Sequence, residues 1–307
     1  MFLTCVVGRW DINAENNLLQ IIKTFLYFEA DVMKDLPKPQ LTLGVKVVKI
    51  LVILCEVTVI TIPMLQFALL TYAPCTSPFI LSMLPKCRQI TKSSHWLENS
   101  VIVLIHIFES WMCFHMMLAG TAGIIFVFFV GMVCLLGYLR ILEREIAEIG
   151  NIHDVASCVQ LYHKISVLEK SINAVLMERI LPCFILCVPV VEIVSIFVCI
   201  SFHDDIAMPG FVMFPILGLD AILATTICLT LASKVHNVSK MLARRLRSAE
   251  IMVRNRDMTM SREIKALSPL KIKFGSNFVD RRTPLVIQNF CVTKTMTLSI
   301  IRAKWKK

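Results

Sequence analysis

The chain has 307 residues, of which 56% are hydrophobic and only 18% charged, and its mean hydropathy is +0.71. Soluble domains carry about 25% charged residues, so this composition excludes an ordinary soluble domain and indicates a membrane protein. The formal net charge of +10 does not predict a nucleic-acid partner, because no basic stretch carries the interleaved aromatic residues that stack on bases.

The chain begins with an apolar stretch, residues 1–7, which is too short for the core of a signal peptide. This stretch is similar to the last turn of a membrane span. We therefore expect one or more helices upstream of this sequence.

Apolar runs long enough to cross a bilayer recur along the chain. A hydrocarbon core of about 30 Å requires about 20 apolar residues in a helix. The predicted spans are 50–73, 110–139, 180–202, 207–232 and 284–301, the last of which is the shortest and least apolar. The second lies in an apolar stretch, 101–139, that could also hold two short spans divided at 120–123; we favour one long or tilted helix. The predicted fold is an all-α, polytopic helical membrane protein with one membrane domain.

The distribution of Lys and Arg predicts the orientation in the membrane. With the amino terminus in the cytoplasm, the cytoplasmic side carries 24 of these residues and the opposite side carries seven. Because basic residues collect in cytoplasmic loops, we expect a cytoplasmic amino terminus and an external carboxyl terminus.

Two regions between the spans, 140–179 and 233–283, are predicted to be helical and cytoplasmic. Both contain apolar residues at helical spacing, which indicates amphipathic helices. These residues are Leu142, Ile146, Ile149, Leu161, Ile165, Leu168, Ile172, Leu176, Val235, Val238, Leu242, Leu246, Ala249 and Val253. We expect the helices to pack together as an intracellular bundle; the alternative is that they lie on the inner leaflet.

The motifs of soluble enzymes are absent from the sequence, including G-x-S-x-G, the P-loop, H-E-x-x-H and G-x-G-x-x-G. We therefore predict no enzyme activity and no cofactor. No C-x-x-C pair occurs, so we also predict no metal site. Most of the 12 cysteines lie in apolar runs, but Cys75 and Cys87 share a predicted external loop and could form a disulfide bond.

The last predicted span carries a polar stripe. At 100° per residue, Gln288, Cys291, Thr295 and Ser299 fall on one helix face. These four residues are candidates for lining a water-filled pore. The alternative is that the stripe packs against polar groups of neighbouring spans.

The residues around the start of that span resemble a known family. The run PLKIKFG at 269–275, followed by Phe278, Asp280 and TPL at 283–285, is similar to the carboxyl-terminal signature of arthropod chemoreceptors of the gustatory and odorant type. The similarity covers roughly the last 45 residues; the rest agrees in layout.

This resemblance implies a structure and a function. Members of the family have seven spans in the predicted orientation, so the five spans here would be the last five. They assemble as tetrameric cation channels whose last helix lines the pore. The implied function is a subunit of a ligand-gated cation channel in the cell membrane, working as a homo- or hetero-tetramer and gated by a small-molecule ligand.

Polar and aromatic residues within the spans are candidates for an outer-leaflet ligand cavity, because intramembrane polar groups normally face a cavity or another helix. The candidates are His106, Glu109, Phe114, His115, Glu192, Phe211, Phe214 and Asp220. Two other functions remain open. A secondary transporter would hold substrate between intramembrane carboxylates, although the chain shows no internal repeat. A G-protein-coupled receptor requires the opposite orientation.

Overall fold

The computed structural model describes residues 12–32, 43–75, 79–83, 100–122, 131–150, 152–203, 206, 208, 210–253 and 258–305, and this part of the chain is almost entirely helical. The helices are α1 (Ile12–Val32), α2 (Leu43–Tyr72), α3 (Ser100–Ala122), α4 (Gly131–Ala147), α5 (Ile152–Val175), α6 (Leu181–Ser201), α7 (Met213–Val253), α8 (Met258–Ala266) and α9 (Thr283–Trp305). A hairpin of two short antiparallel strands, β1 (Lys273–Phe274) and β2 (Asn277–Phe278), lies between α8 and α9.

Four helical segments of the described residues are long and apolar enough to cross a membrane, as expected for a polytopic membrane protein. They are Lys46–Tyr72, Ser100–Thr121, Leu181–Ser201 and Gly210–Ala249. Large apolar side chains on these segments point away from the protein, as contact with lipid requires: Met64 is 69% exposed and Leu186 is 68% exposed. α9 has 23 residues but is not among the four, so its role as a fifth span remains a prediction.

The second span differs from the predicted range 110–139. Its helix begins at Ser100, because residues 100–109 are apolar enough to continue the helix towards its amino-terminal end. The next helix, α4, begins at Gly131, and residues 123–130 lie outside the described part of the chain. Whether 101–139 forms one span or two therefore remains a prediction.

Two helices extend beyond the predicted spans 180–202 and 207–232. α5 runs directly into α6 through a π-helical turn at Leu176–Ile180. α7 is a single helix of 41 residues, about 60 Å long at 1.5 Å per residue. Both extensions were expected from the apolar stripes that lead into and out of the spans.

The apolar stripes of α4, α5 and α7 form one buried core, which agrees with the predicted helical bundle. Leu142, Ile165, Leu242 and Leu246 all have no exposed surface. α1 joins this core through Phe28, whose ring centroid lies 4.7 Å from that of Tyr138. Burial of this extent removes each side chain from water and stabilises the bundle by about 1.5–3 kcal/mol per large residue.

The helical pattern stops before the last helix, as the proline and glycine in this region predict. α8 ends at Ala266, and residues 267–282 contain the β1–β2 hairpin in place of helix. Gly275, at the tip of the hairpin, has a φ of 53°, a conformation that strongly favours glycine. This segment leads the chain from α8 back to α9.

The predicted orientation can be tested at a glycosylation sequon. Asn237 is exposed on α7 and begins the sequence Asn-Val-Ser, in the region that we expect to be cytoplasmic. We therefore expect no glycosidase-sensitive shift when the chain is translated into microsomes. As a positive control, Lys92→Asn creates an Asn-Ser-Ser sequon in the predicted external loop and should produce such a shift. A glycosidase-sensitive shift that depends on Asn237 would contradict the predicted orientation.

Candidate functional site

α9 packs along α6 and α7, and one of its faces is covered by these two helices. Pro284, Cys291 and Thr295 are buried on this covered face, and Gln288 and Ser299 are half-buried. Four of these five residues are the stripe predicted to line a pore. Within the single chain, the stripe therefore faces the protein's own helices.

Gln288 links α9 to both neighbouring helices. Its Nε2 atom donates hydrogen bonds to Thr225 Oγ1 at 2.8 Å and to Glu192 Oε2 at 3.2 Å. Glu192 on α6 and Thr225 on α7 are each 1% exposed. A buried carboxyl group needs such partners, because leaving it without hydrogen bonds is costly. This polar triad explains why α9 carries a glutamine on its buried face.

The other members of the stripe are also satisfied inside the protein. Cys291 Sγ lies 4.0 Å from the carbonyl oxygen of Pro189 on α6. The Thr295 hydroxyl donates to Cys291 O at 2.9 Å, and the Ser299 hydroxyl donates to Thr295 O at 3.0 Å. Within the single chain, this placement corresponds to polar packing against neighbouring spans, the alternative that the sequence left open; pore lining by the stripe remains a prediction.

A second polar row lies on the opposite face of α9. Asn289, Thr293 and Thr297, spaced four residues apart, are all exposed. Large exposed apolar residues flank this row: Leu285, Val286, Phe290, Val292, Met296, Ile300 and Ile301. The outward face of α9 is therefore largely apolar, with one row of amide and hydroxyl groups along it.

Lys294 lies beside this row and not within it. It follows Thr293 directly and so points about 100° away around the helix. Its Nζ atom lies 5.6 Å from the centroid of the Phe290 ring, a cation–π distance.

The residues predicted to form a ligand cavity occupy separate places. His106 is fully buried on α3, 3.8 Å from Glu109. Glu109 Oε1 accepts a hydrogen bond from the backbone N–H of Ile80 at 2.6 Å, which holds the short helical turn Ile80–Met83 against α3. These two residues therefore hold the turn Ile80–Met83 against α3, and their place in a ligand cavity remains a prediction.

Four further candidates lie on α6, on α7 and just before α7. Glu192 belongs to the triad with Gln288. Asp220 is half-buried near Thr58 of α2, and its Oδ1 atom has no hydrogen-bond partner among the described residues. Phe211, in the short helical turn Gly210–Val212, and Phe214, at the start of α7, are both half-buried. The eight candidates all lie within the apolar stretches of the sequence, but their side chains point in different directions and contact different neighbours.

An apolar groove of about 440 Å³ lies between α2 and α3. It is lined by Ile60, Pro63, Met64, Phe67, Ile107, Ser110, Trp111 and Phe114. Phe114 is the one predicted cavity residue among them. His115 contacts the groove indirectly, since its ring lies 4.5 Å from the Trp111 ring.

Ser110 and Trp111 also line this groove but were not among the predicted cavity residues. The Ser110 hydroxyl oxygen is buried and has no hydrogen-bond partner within the described residues. Trp111 is 54% exposed on the same wall. Ile107, Trp111 and Phe114, spaced four and three residues apart, share one helix face, a signal that groups them without saying what that face contacts.

Cys75 takes part in a disulfide bond. Cys87 lies outside the described residues, so its pairing with Cys75 remains a prediction.

Comparisons with known proteins give a distant structural likeness. No family profile and no curated protein matches the chain. The structure of the insect olfactory receptor OR5 from Machilis hrabei is similar, with a TM-score of 0.48 and 14% identity over 97% of this chain and 85% of that one. The structure of that receptor in complex with eugenol gives a TM-score of 0.45 and 15% identity over 94% of this chain and 70% of that one.

Proposed function

We propose that this chain is a chemosensory receptor subunit that acts as a ligand-gated cation channel in the cell membrane. In this proposal four subunits, identical or mixed, surround a central path, and α9 of each subunit faces that path. The observation that carries the proposal is the outward polar row of α9, Asn289, Thr293 and Thr297.

This row is unusual for a surface in contact with lipid alone. Amide and hydroxyl groups gain nothing from hydrocarbon, so an exposed polar row on an otherwise apolar helix favours contact with water or with another subunit. The flanking apolar residues, which include Val286, Phe290 and Met296, would then contact neighbouring copies of the helix.

The hydroxyl groups of the row suit a cation path. Thr293 and Thr297 each donate to the carbonyl oxygen four residues earlier, at 2.8 Å. Their protons are thus used within the helix, and the oxygen lone pairs remain available to water or to a cation. Lys294 points to the side of the row, so its charge does not occupy the same line.

The groove between α2 and α3 is our proposed ligand site. Its walls are almost wholly apolar, and the Ser110 hydroxyl is the polar group available for a hydrogen bond. Such a groove suits a small, largely apolar molecule with one polar atom. The ligand would open the channel only by binding the open arrangement more tightly than the closed one.

Cysteine accessibility at α9 tests the proposal. In a chain with Cys291→Ser, we expect a water-soluble thiol reagent to block the cation current of Asn289→Cys, Thr293→Cys and Thr297→Cys. The matched control is Thr295→Cys on the covered face, where we expect no block because the side chain is 3% exposed. The measurement is whole-cell recording from cells that express the chain.

Two outcomes would contradict this assignment. Block at residues 288, 295 and 299, with none at 289, 293 and 297, would instead support the first prediction, that the Gln288 stripe lines the pore. Absence of any current, from protein shown to reach the cell surface, would count against the channel function itself.

A further inference from the structure

The segment before α9 is held by the rest of the protein through its backbone. We call residues 267–280 the strap; it contains the β1–β2 hairpin and leads into α9. A segment without regular structure leaves backbone N–H and C=O groups to be paired. In the strap, many of these groups bind side chains or the backbone of other helices.

One of these contacts depends on the π-helical turn between α5 and α6. In this turn, Leu181 N–H donates to Leu176 O, five residues earlier. Met177 O therefore loses its usual α-helical donor, and the next residue, Pro182, has no N–H to offer. The backbone N–H of Gly275, at the hairpin tip, donates to Met177 O at 3.0 Å. The hairpin thus binds a carbonyl group that the helix itself cannot pair.

Asn173 on α5 makes a second contact with the hairpin strand. Its Nδ2 atom donates to Lys271 O at 2.7 Å, and its Oδ1 atom accepts from the backbone N–H of Lys273 at 2.9 Å. One amide side chain therefore binds the strap as a neighbouring strand would. Asn173 is 7% exposed, so water cannot easily replace these bonds.

Glu169 supports the position of Asn173. Its Oε1 atom accepts from Asn173 Nδ2 and from the backbone N–H of Lys271. Burial raises the pKa of this carboxyl group, whereas the Lys271 N–H and the nearby Lys273 charge lower it. The Oε1 atom is an acceptor in both contacts, so the neutral amide of glutamine can take the same role.

The other side of the strap is held by α7. Leu270 N–H donates to Ser239 Oγ at 2.9 Å, and His236 Nδ1 lies 3.0 Å from Leu270 O. Arg247 donates to Leu267 O at 2.6 Å. The strap is therefore held by α5, by the π-helical turn between α5 and α6, and by α7.

We propose that Met177 O and Asn173 are positioning groups that fix the strap on the α5–α6 junction and so set the place where α9 begins. The effect on the pore rests on the proposed channel function, whereas the docking of the strap does not. Movement of α6 relative to α5 at the π turn would carry the hairpin with it and change the balance between closed and open arrangements.

Hydrogen exchange in the purified full chain tests the docking. Asn173→Leu has a similar shape but cannot pair with the strap, and Pro182→Ala supplies a helical N–H that competes for Met177 O. We expect exchange of amides in residues 271–275 to become roughly tenfold faster or more in each variant, because Asn173→Leu removes two hydrogen bonds to the strap and Pro182→Ala weakens one. The controls are Glu169→Gln, which keeps the acceptor, and Val167→Ala, on the exposed face of α5; neither should alter exchange in the strap.

The effect on gating is measured in the same variants as ligand-free cation current, normalised to the amount of protein at the cell surface. We expect Asn173→Leu and Pro182→Ala to raise this current severalfold, and the two controls to leave it unchanged. Unchanged exchange in both variants would overturn the docking, and faster exchange with unchanged current would overturn the effect on gating. If wild type and all variants carry no current, the proposed function fails, and the exchange data alone decide the docking.

Discussion

Gln288→Leu is expected to reduce the free energy of unfolding by about 2 kcal/mol, because the substitution leaves a buried carboxyl group short of a partner. Gln288 donates to Glu192 at 3.2 Å and to Thr225 at 2.8 Å, and both partners are almost fully buried. After the substitution, the Thr225 hydroxyl, at the longer distance of 3.4 Å, is still placed to donate to Glu192. The measurement is unfolding of the purified protein in detergent micelles with increasing SDS.

The double variant Gln288→Leu/Glu192→Leu separates loss of the contact from loss of packing. When both polar partners are replaced by apolar groups of similar size, no unsatisfied group remains, so we expect the double variant to be more stable than Gln288→Leu alone. Asn289→Leu, on the exposed face of α9, is the matched control and should differ from wild type by less than about 0.5 kcal/mol. If Gln288→Leu and Asn289→Leu reduce the free energy of unfolding equally, then Gln288 does not lie on the covered face of α9.

Leu142→Ala is expected to destabilise the protein by about 3 kcal/mol, because it removes a fully buried side chain from the helical bundle and leaves a cavity. Leu142 has no exposed surface and belongs to the core that α4 shares with α5 and α7. The control is Val167→Ala on α5, where the side chain is 59% exposed. It should change stability by less than about 0.5 kcal/mol.

This comparison also separates the two interpretations of the amphipathic helices. Helices that lay on the inner leaflet would bury their apolar faces in lipid or detergent, so Leu142→Ala would cost little more than Val167→Ala. A large difference between the two variants, measured in the same SDS titration, is what a packed bundle requires. Similar losses would contradict the bundle.

Long apolar helices are predictable from the sequence because the length of a span follows from the thickness of the bilayer. The predicted span 180–202 corresponds to the helix Leu181–Ser201, and 50–73 overlaps Lys46–Tyr72. Within hydrocarbon, backbone groups must pair inside each segment, so an apolar run of this length has to be a helix. The predicted break near Gly275 also agrees with the structure, since its φ of 53° suits glycine.

The candidate site was less predictable because it depends on the direction of side chains around each helix. His106 and Trp111 lie on the same helix, yet His106 is fully buried and Trp111 lines the groove with α2. Their depth in the membrane is visible in the sequence. Which of them faces α2 depends on how the two helices pack, and periodicity within α3 does not determine this.

In α9 the helical period follows from the sequence, whereas the face that turns inward follows from tertiary packing. Sequence alone determined a short helix with polar residues, and its period placed Gln288, Cys291, Thr295 and Ser299 on one face. The same helix also presents Asn289, Thr293 and Thr297 on the other side, and a helical period cannot say which polar row faces inward. That choice was made by Glu192 and Thr225, which lie 96 and 63 residues away in the chain and are brought to Gln288 only by the packing of α6, α7 and α9. Because a buried carboxyl group must be hydrogen-bonded, the face that carries Gln288 is turned towards it.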